Sequence, residues 1–201
     1  MNEQEIEVKF HINKPDALIE KLKACGAQPS QARILEINLR FDTADMSLSH
    51  AARVLRLRQD EEVHLTYKGP GQVMDGVLSR QEIEFTVSDF QAARHFLEAL
   101  GYQVIVAYEK YRQTYRMGGL DITVDEMPYG CFAEIEGPHA VQIRAAADLL
   151  QLDWSKRIIG SYLDLFSQLK VRKGYTFKDL TFENFKEQVI TPSDLRVSPA
   201  D

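Results

Sequence analysis

The feature that most constrains the fold is a strict alternation of charged and apolar residues near the start of the chain. Residues 5–12 read Glu-Ile-Glu-Val-Lys-Phe-His-Ile. Because successive side chains of a β-strand point to opposite faces, this pattern predicts a strand with one ionisable face and one apolar face. Any fold of this chain must bury the apolar face and provide an environment for the charged one.

Seven further segments alternate in the same way, so we predict eight strands. The others lie at about residues 33–42, 53–58, 62–69, 82–87, 104–116, 120–126 and 131–136. Same-face residues of a strand lie about 6.7 Å apart, so the charged face can be collected strand by strand. It holds seven cations and seven anions, namely Lys9, Arg56, Arg58, Lys68, Arg80, Lys110 and Arg112, and Glu5, Glu7, Glu82, Glu84, Asp125, Glu134 and Glu136.

Two α+β arrangements account for these strands. In one, the charged face is the solvated side of an antiparallel sheet whose other side packs on helices. In the other, the eight strands close into a β-barrel with helices packed on the outside and the charged face turned inward around a wet cavity. Like charges that neighbour each other, as at Arg56 and Arg58, destabilise a sheet unless opposite charges lie between them, which favours the barrel. The alternation alone leaves both arrangements open.

The length of 201 residues is typical of one domain with an appendage. Apolar spacing and stop signals predict helices at about 15–25, 88–100, 140–151, 155–170 and 182–190. We expect the barrel domain to span residues 1–169 and a C-terminal helical extension of the same domain to span 170–190. Residues 191–201 contain two prolines and no apolar period, which predicts a flexible tail.

Composition excludes several classes of protein. With 24 basic and 30 acidic residues, the formal charge is −6, so we expect neither nucleic acid nor an anionic membrane surface as a partner. The two cysteines form neither a disulfide framework nor a zinc-binding spacing. No apolar run reaches the roughly 18 residues of a membrane span, and the first residues do not read as a signal peptide. We therefore expect a cytoplasmic protein.

Clustered acids and clustered bases on one inward face fit a single ligand class. Mg²⁺ and Mn²⁺ prefer carboxylate oxygens completed by substrate phosphates, while Arg and Lys bind phosphate oxygens. A triphosphate carries about four negative charges and therefore needs several cations together with a metal. Other catalytic signals are weak, because the glycines at 69, 71 and 76 lack the lysine of a phosphate-binding P-loop and the five histidines are scattered.

The order of the charged motifs is specific. Over about residues 3–166 it runs Glu5-x-Glu7-x-Lys9, Phe41-Asp42-Thr43, Leu55-Arg56-Leu57-Arg58, Lys68-Gly69-Pro70, Arg80-x-Glu82-x-Glu84, Lys110-x-Arg112 and Gly130-x-Phe132-x-Glu134-Ile135-Glu136. This set resembles the CYTH superfamily, the triphosphate tunnel metalloenzymes that include class IV adenylyl cyclases, thiamine triphosphatases and inorganic triphosphatases. The resemblance implies an eight-stranded antiparallel tunnel, a Mg²⁺ or Mn²⁺ requirement and a triphosphate substrate.

The resemblance also implies roles for individual residues. Glu5, Glu7, Glu134 and Glu136 match the carboxylates that bind metal, with Asp125 and Glu84 as further acidic candidates. The residues that match the basic, phosphate-binding set are Lys9, Arg56, Arg58, Lys68, Lys110 and Arg112. Glu5, Glu7 and Lys9 are the expected catalytic residues. Arg157 is a looser match to a basic residue that precedes Ser161-Tyr162.

We expect hydrolysis of inorganic tripolyphosphate, thiamine triphosphate or a nucleoside triphosphate. The alternative is a class IV adenylyl cyclase, which converts ATP to cyclic AMP and pyrophosphate; a third is a binding module without catalysis. The turn Pro128-Tyr129-Gly130 stands where cyclase-like members often have Gly-Leu-Gly, which favours the hydrolase. The extension after Leu169 could be a lid, a packed cap or the contact of a homodimer.

Overall fold

The strands form one antiparallel sheet whose two ends meet. The computed structural model describes residues 4–201. Within that range the strands are β1 (Gln4–Ile12), β2 (Gln28–Asp42), β3 (Val54–Gln59), β4 (Val63–Lys68), β5 (Gln72–Met74), β6 (Val77–Val87), β7 (Gln103–Met117), β8 (Leu120–Met127) and β9 (Gly130–Glu136). Eight of them pair in the order β1-β9-β8-β7-β2-β3-β4-β6, and β6 pairs again with β1, which closes the ring. Strand β5 only extends the edge of β6.

Helices cover the outside of this ring. In the described chain they are α1 (Pro15–Ala24), α2 (Ser47–His50), α3 (Phe90–Ala99), α4 (Ala140–Leu149), α5 (Tyr162–Lys173), α6 (Phe182–Phe185) and α7 (Pro192–Leu195), with a 3₁₀ turn at Trp154–Lys156. None of these helices is both long and apolar enough to cross a lipid bilayer. The predicted α+β class and the predicted ring of eight antiparallel strands are confirmed.

The apolar face of the strands points outward and forms two cores with the helices. Val8, Phe10 and Ile12 of β1 pack in one cluster with residues of α1, α4, β8 and β9. Leu39, Phe41 and Leu57 form a second cluster with Leu97 of α3, on the side of β2 and β3. Burying an aliphatic or aromatic side chain stabilises a fold by roughly 1.5–3 kcal/mol, so these clusters hold the helices against the ring.

The charged face points inward, which excludes the solvated-sheet alternative. Lys9, Lys110 and Asp125 expose only 4%, 3% and 0% of their surfaces. Helix α5 packs on Tyr108 and Phe132, which belong to the same inner face as these charged residues. The first turns of α5 therefore line the interior of the ring.

The C-terminal region differs from the sequence-based prediction. The helix predicted over 155–170 begins only at Tyr162, where Ser161 and Asp164 form a capping box, and the helix predicted over 182–190 ends at Phe185. Residues 178–182 run along β7, where the N–H and C=O of Leu180 bond to Ala107 O and Glu109 N, each at 2.9 Å. The extension thus occupies part of a strand edge that β8 leaves open.

The flexible-tail prediction for residues 191–201 is wrong. Thr191 caps α7, and Leu195 is buried in the cluster formed with α5. Ala200 N donates to His11 O at 2.9 Å, and the Asp201 carboxylate accepts from the backbone N–H groups of Asn13 and Lys14 at 2.8 and 2.7 Å. Single apolar residues separated by turns bury well here, although they show no helical period.

Leu195→Ala tests this packing. Leu195 exposes 1% of its surface, so the substitution should cost about 2–5 kcal/mol of unfolding free energy, measured by urea denaturation. Val189→Ala, at a residue 85% exposed in the same region, is the matched control and should stay within about 0.5 kcal/mol of the wild type. Equal stability of the two variants would mean that the last residues do not pack on the domain in solution.

Candidate active site

The ring encloses a cavity of about 1170 Å³ that is lined by charged side chains. Every basic and acidic residue predicted for the site lines it, apart from Asp125, which is fully buried beneath the lysine and arginine of β7. The looser candidate Arg157 lies elsewhere. Its guanidinium donates to the backbone carbonyls of Gly76 and Trp154 at 3.1 and 3.0 Å.

At the junction of β1, β4 and β6, Glu5 binds two cations. Its carboxylate oxygens lie 2.5 Å from Lys68 Nζ and 2.7 Å from Arg80 Nε. Burial alone would raise the pKa of Glu5, but the charges of Lys68 and Arg80 outweigh burial and lower it to about 2. Arg80 also reaches Glu7 at 3.5 Å. The closing pair of strands, β1 and β6, is therefore joined by ion pairs on its inner face.

Carboxylates outnumber cations in this part of the cavity. Burial and the nearby charges of Glu5 and Glu82 raise the pKa of Glu136 to about 8, and burial together with Glu5 raises that of Glu82. Glu7 lies directly opposite Glu136 in the pairing of β1 with β9. The four acids Glu5, Glu7, Glu82 and Glu136 thus share two cations, Lys68 and Arg80. We call these four acids the acidic cluster.

The rest of the cavity carries the opposite imbalance. Glu134 is ion-paired with both Lys9 and Arg112. Asp125 is bound bidentately by Arg112 at 2.7 and 2.6 Å, and also accepts from Lys110 at 3.1 Å and from the Tyr162 hydroxyl at 2.8 Å. Four donors saturate this buried carboxylate. Asp125 therefore holds the basic residues in place and has little capacity left for a metal.

Glu84, like Asp125, is surrounded by basic and hydroxyl donors. It lies 3.3 Å from Arg56 Nη2 and 3.2 Å from Arg58 Nη2, and accepts from Thr66 Oγ1 at 2.6 Å. These contacts hold the pKa of Glu84 below its usual value against the effect of burial. Glu84, like Asp125, positions arginines that face the cavity.

The carboxylates of the acidic cluster fit a hard divalent cation in chemistry and in charge. With all four carboxyl groups ionised, the two cations leave two negative charges, which one Mg²⁺ or Mn²⁺ would neutralise. Because the pKa of Glu136 is raised to about 8, the metal would displace the proton that Glu136 carries at neutral pH. Oxygen is the ligand atom that both metals prefer. The side chains are not assembled as a ligand shell. Among residues 4–201, no three His, Cys, Asp or Glu side chains are arranged to hold a metal as they stand.

Three inner-face residues of the site were missed by the sequence-based prediction. Glu36 and Arg40 follow the parity of β2, a predicted strand whose charged face was not collected with the others, and Tyr108 belongs to the inner face of β7. Glu36 is buried 3.4 Å from Lys110 Nζ and 3.8 Å from Arg112 Nε. Residues 36–41 alternate polar and apolar side chains, Glu-Ile-Asn-Leu-Arg-Phe, and this alternation could have identified Glu36 and Arg40 as inner-face residues.

The sequence model of the CYTH domain matches residues 3–165. The chain belongs to the CYTH family. A protein of Methanocaldococcus jannaschii named "Putative adenylate cyclase" is 23% identical over 171 residues, which cover 84% of this chain and 91% of that protein.

Solved structures share the fold. A "putative adenylate cyclase" of Vibrio parahaemolyticus superposes with a TM-score of 0.75 at 22% identity and covers 83% of this CYTH chain and 99% of its own. A "putative adenylyl cyclase" of Hippeastrum, described as having a dominant triphosphatase activity, has a TM-score of 0.62 at 20% identity and covers 86% and 97%. At these identities the similarity establishes the fold alone.

Glu36→Gln tests whether the buried charges balance one another. Burial would raise the pKa of Glu36, but Lys110, Arg112, Arg58 and Arg56 lower it to about 2. A carboxyl pKa below its unfolded value stabilises the fold above about pH 4.5, and this stabilisation is lost as the pH falls toward 2. The variant should therefore lose about 3–5 kcal/mol at pH 7, measured by urea denaturation.

The pH dependence separates this effect from a general loss of packing. The difference in unfolding free energy between wild type and Glu36→Gln should shrink as the pH falls below about 4.5, because the wild-type carboxylate becomes protonated. Glu62→Gln, at an exposed position, is the control and should show no such difference. A gap of constant size between pH 7 and pH 3 would contradict the proposed charge balance.

Proposed function

We propose that this protein hydrolyses a triphosphate in a reaction that depends on a divalent metal. The observation that carries the proposal is the separation of charge inside one cavity, with excess carboxylate at Glu5, Glu7, Glu82 and Glu136 and excess cation beyond them. A metal at the first part and phosphate oxygens at the second would neutralise both. A neutral, solvated sheet face would need no such separation.

The acidic cluster would hold Mg²⁺ or Mn²⁺. When bound, such an ion polarises phosphate oxygens and lowers the pKa of a coordinated water. The structure favours Glu82 over Asp125 and Glu84 as a ligand, because the latter two are saturated by arginine, lysine and hydroxyl donors. Glu134 stands between the two groups of charges, paired with Lys9 and Arg112.

The basic residues would bind the phosphates. All six predicted basic residues face the cavity, and each is ion-paired with a carboxylate before a substrate binds. They are Lys9, Arg56, Arg58, Lys68, Lys110 and Arg112. Cations fixed in place stabilise the charge that develops on phosphate oxygens without reorganising during the reaction. Water adds to the terminal phosphorus, the P–O bond to the bridging oxygen breaks, and phosphate, the shortened chain and one proton leave.

The aromatic residues of the cavity favour hydrolysis over cyclisation. A cyclase must also hold the adenine and ribose, and stacking on aromatic rings is a common way to bind a base. Tyr162 is covered by Lys9 at 4.5 Å, and its hydroxyl donates to Asp125, while Tyr108 hydrogen-bonds Arg56. The remaining aromatic ring that lines the cavity, among the described residues, is that of Phe85, which is more than half exposed to solvent. The cavity therefore offers little enclosed aromatic surface on which a base could stack.

Adenylyl cyclase activity remains the second candidate, since the relatives from M. jannaschii and V. parahaemolyticus carry that name. The Hippeastrum protein carries the same name together with a dominant triphosphatase activity, which supports the order proposed here. Both reactions would use the same metal and the same phosphate contacts. They differ in the nucleophile, which is water or the ribose 3′-hydroxyl.

A substrate panel separates these activities. Tripolyphosphate, thiamine triphosphate, ATP and GTP are each incubated with Mg²⁺ or Mn²⁺, and all products are identified by chromatography. We expect orthophosphate from at least one substrate, none after chelation with EDTA, and no cyclic nucleotide. Cyclic AMP with pyrophosphate would establish the cyclase instead, and tight binding without turnover would establish a binding module.

Glu7→Gln tests the metal assignment with little effect on folding, because the ion pair between Glu7 and Arg80 is long at 3.5 Å. The metal concentration for half-maximal activity should rise at least about tenfold, the lower range for changes around a metal site. Glu20→Gln, on the exposed surface of α1, should match the wild type. If a folded Glu7→Gln protein showed unchanged metal dependence, Glu7 would not be a metal ligand.

A further inference from the structure

One corner of the cavity contains two arginines without an acidic partner. Arg40 lies on β2 and Arg53 immediately before β3, and both side chains line the cavity. Within residues 4–201, neither guanidinium has a carboxylate within 4.0 Å, and the buried Nε of Arg40 has no hydrogen-bond partner. In contrast, the seven predicted inner-face cations, from Lys9 to Arg112, are all ion-paired.

The surroundings of Arg40 are themselves positive. Arg40 stands directly opposite Arg56 in the pairing of β2 with β3, an arrangement of like charges that destabilises a sheet when nothing lies between them. Burial lowers the pKa of Arg40, and the charges of Arg56 and Arg80 act in the same direction. The carboxylate whose charge acts on Arg40, that of Asp164, accepts hydrogen bonds from Ser161 N and Oγ at 2.8 and 2.7 Å.

The pKa of Tyr108 indicates the same excess of positive charge. It is buried beside Arg56, Lys110 and Arg40, and burial would raise its pKa. The three cations outweigh burial and lower the pKa of the phenol instead. An anion entering this corner would therefore meet a positive potential that the neighbouring acids, Glu84, Asp125 and Asp164, offset only in part.

The position of Arg40 extends the row of phosphate-binding residues. Along β2 it lies four residues from Glu36, which contacts Lys110 and Arg112, a separation of about 13 Å. Arg56, which belongs to the predicted phosphate-binding set, is its direct neighbour. Arg53 continues the row at an exposed position, and the first turn of α5, with its positive helix end, lines the same corner.

We propose that Arg40 and Arg53 form a subsite for one phosphate beyond those held by the six predicted basic residues. This inference rests on the proposed function, because it extends the same phosphate row. The occupant is the next phosphate of a longer linear chain or a free phosphate ion. The protein then binds a tetraphosphate more tightly than a triphosphate.

The test is binding without turnover. Isothermal titration in EDTA measures the affinity of tripolyphosphate and tetrapolyphosphate for wild type, Arg40→Gln, Arg53→Gln and the surface control Arg116→Gln. A hydrogen bond to a charged group contributes about 1.5–3 kcal/mol, so the wild type should favour the tetraphosphate at least about tenfold. Arg40→Gln should abolish that preference and change tripolyphosphate affinity less than about twofold, and Arg40→Lys should retain part of it.

A second arm identifies the source of the phosphate. Orthophosphate added to the wild-type complex with tripolyphosphate should bind alongside it if the subsite accepts a free ion. Binding of tetrapolyphosphate alone would assign the subsite to the longer chain. Either result supports the subsite, provided that Arg40→Gln removes the binding and retains the wild-type melting temperature.

Two results would overturn the proposal. Equal losses for both chain lengths in Arg40→Gln would place Arg40 among the contacts of the triphosphate itself. Unchanged affinities in Arg40→Gln would mean that the corner binds no phosphate. A misfolded Arg40→Gln protein is recognised by its lowered melting temperature, and the comparison is then made with Arg40→Lys, for which unchanged affinities would overturn the proposal equally. Because this comparison measures binding and needs no turnover, a failed hydrolase assay would leave it unaffected.

Discussion

The structure depends on the pairing of buried charges across neighbouring strands. Burying charges inside a closed ring costs free energy that opposite charges and hydrogen bonds must largely offset, since an isolated buried ion is very costly. Arg112 illustrates this, because it binds Asp125 bidentately and also contacts Glu134. Removing Asp125 would take one carboxylate partner from Lys110 and one from Arg112 in a buried site, and such a loss is strongly destabilising.

The same pairing prepares the cavity for an ionic ligand. Where acids and bases balance, the ion pairs fix the side chains; where they do not, the cavity has a net charge that a ligand can neutralise. The acidic cluster has an excess of carboxylate, and the corner at Arg40 has an excess of cation. The proposed metal and phosphate would thus occupy different parts of one ring, and Tyr162 of α5 lies beneath Lys9 and donates its hydroxyl to Asp125.

Much of this was predictable from local patterns, because the two-residue period of a strand decides which side chains share a face. That period placed Glu5, Lys9 and Lys110 together on the inner face, and the motif order identified the CYTH family. Which acid meets which base depends on strand register between residues that are distant in sequence, so the saturation of Asp125 could not be read from the chain. The C-terminal residues were mispredicted because Leu195 and Ala200 bury as isolated contacts without a period.

The proposed function divides the cavity into a metal-binding part and a phosphate-binding part. Anomalous diffraction at the manganese edge, from crystals grown with Mn²⁺, tests it most directly. We expect a manganese peak within coordination distance of carboxylates from the set Glu5, Glu7, Glu82 and Glu136, with Asp125 still bound by Arg112 and Lys110. A peak coordinated by Asp125 and Glu84, or no peak inside the ring, would contradict it.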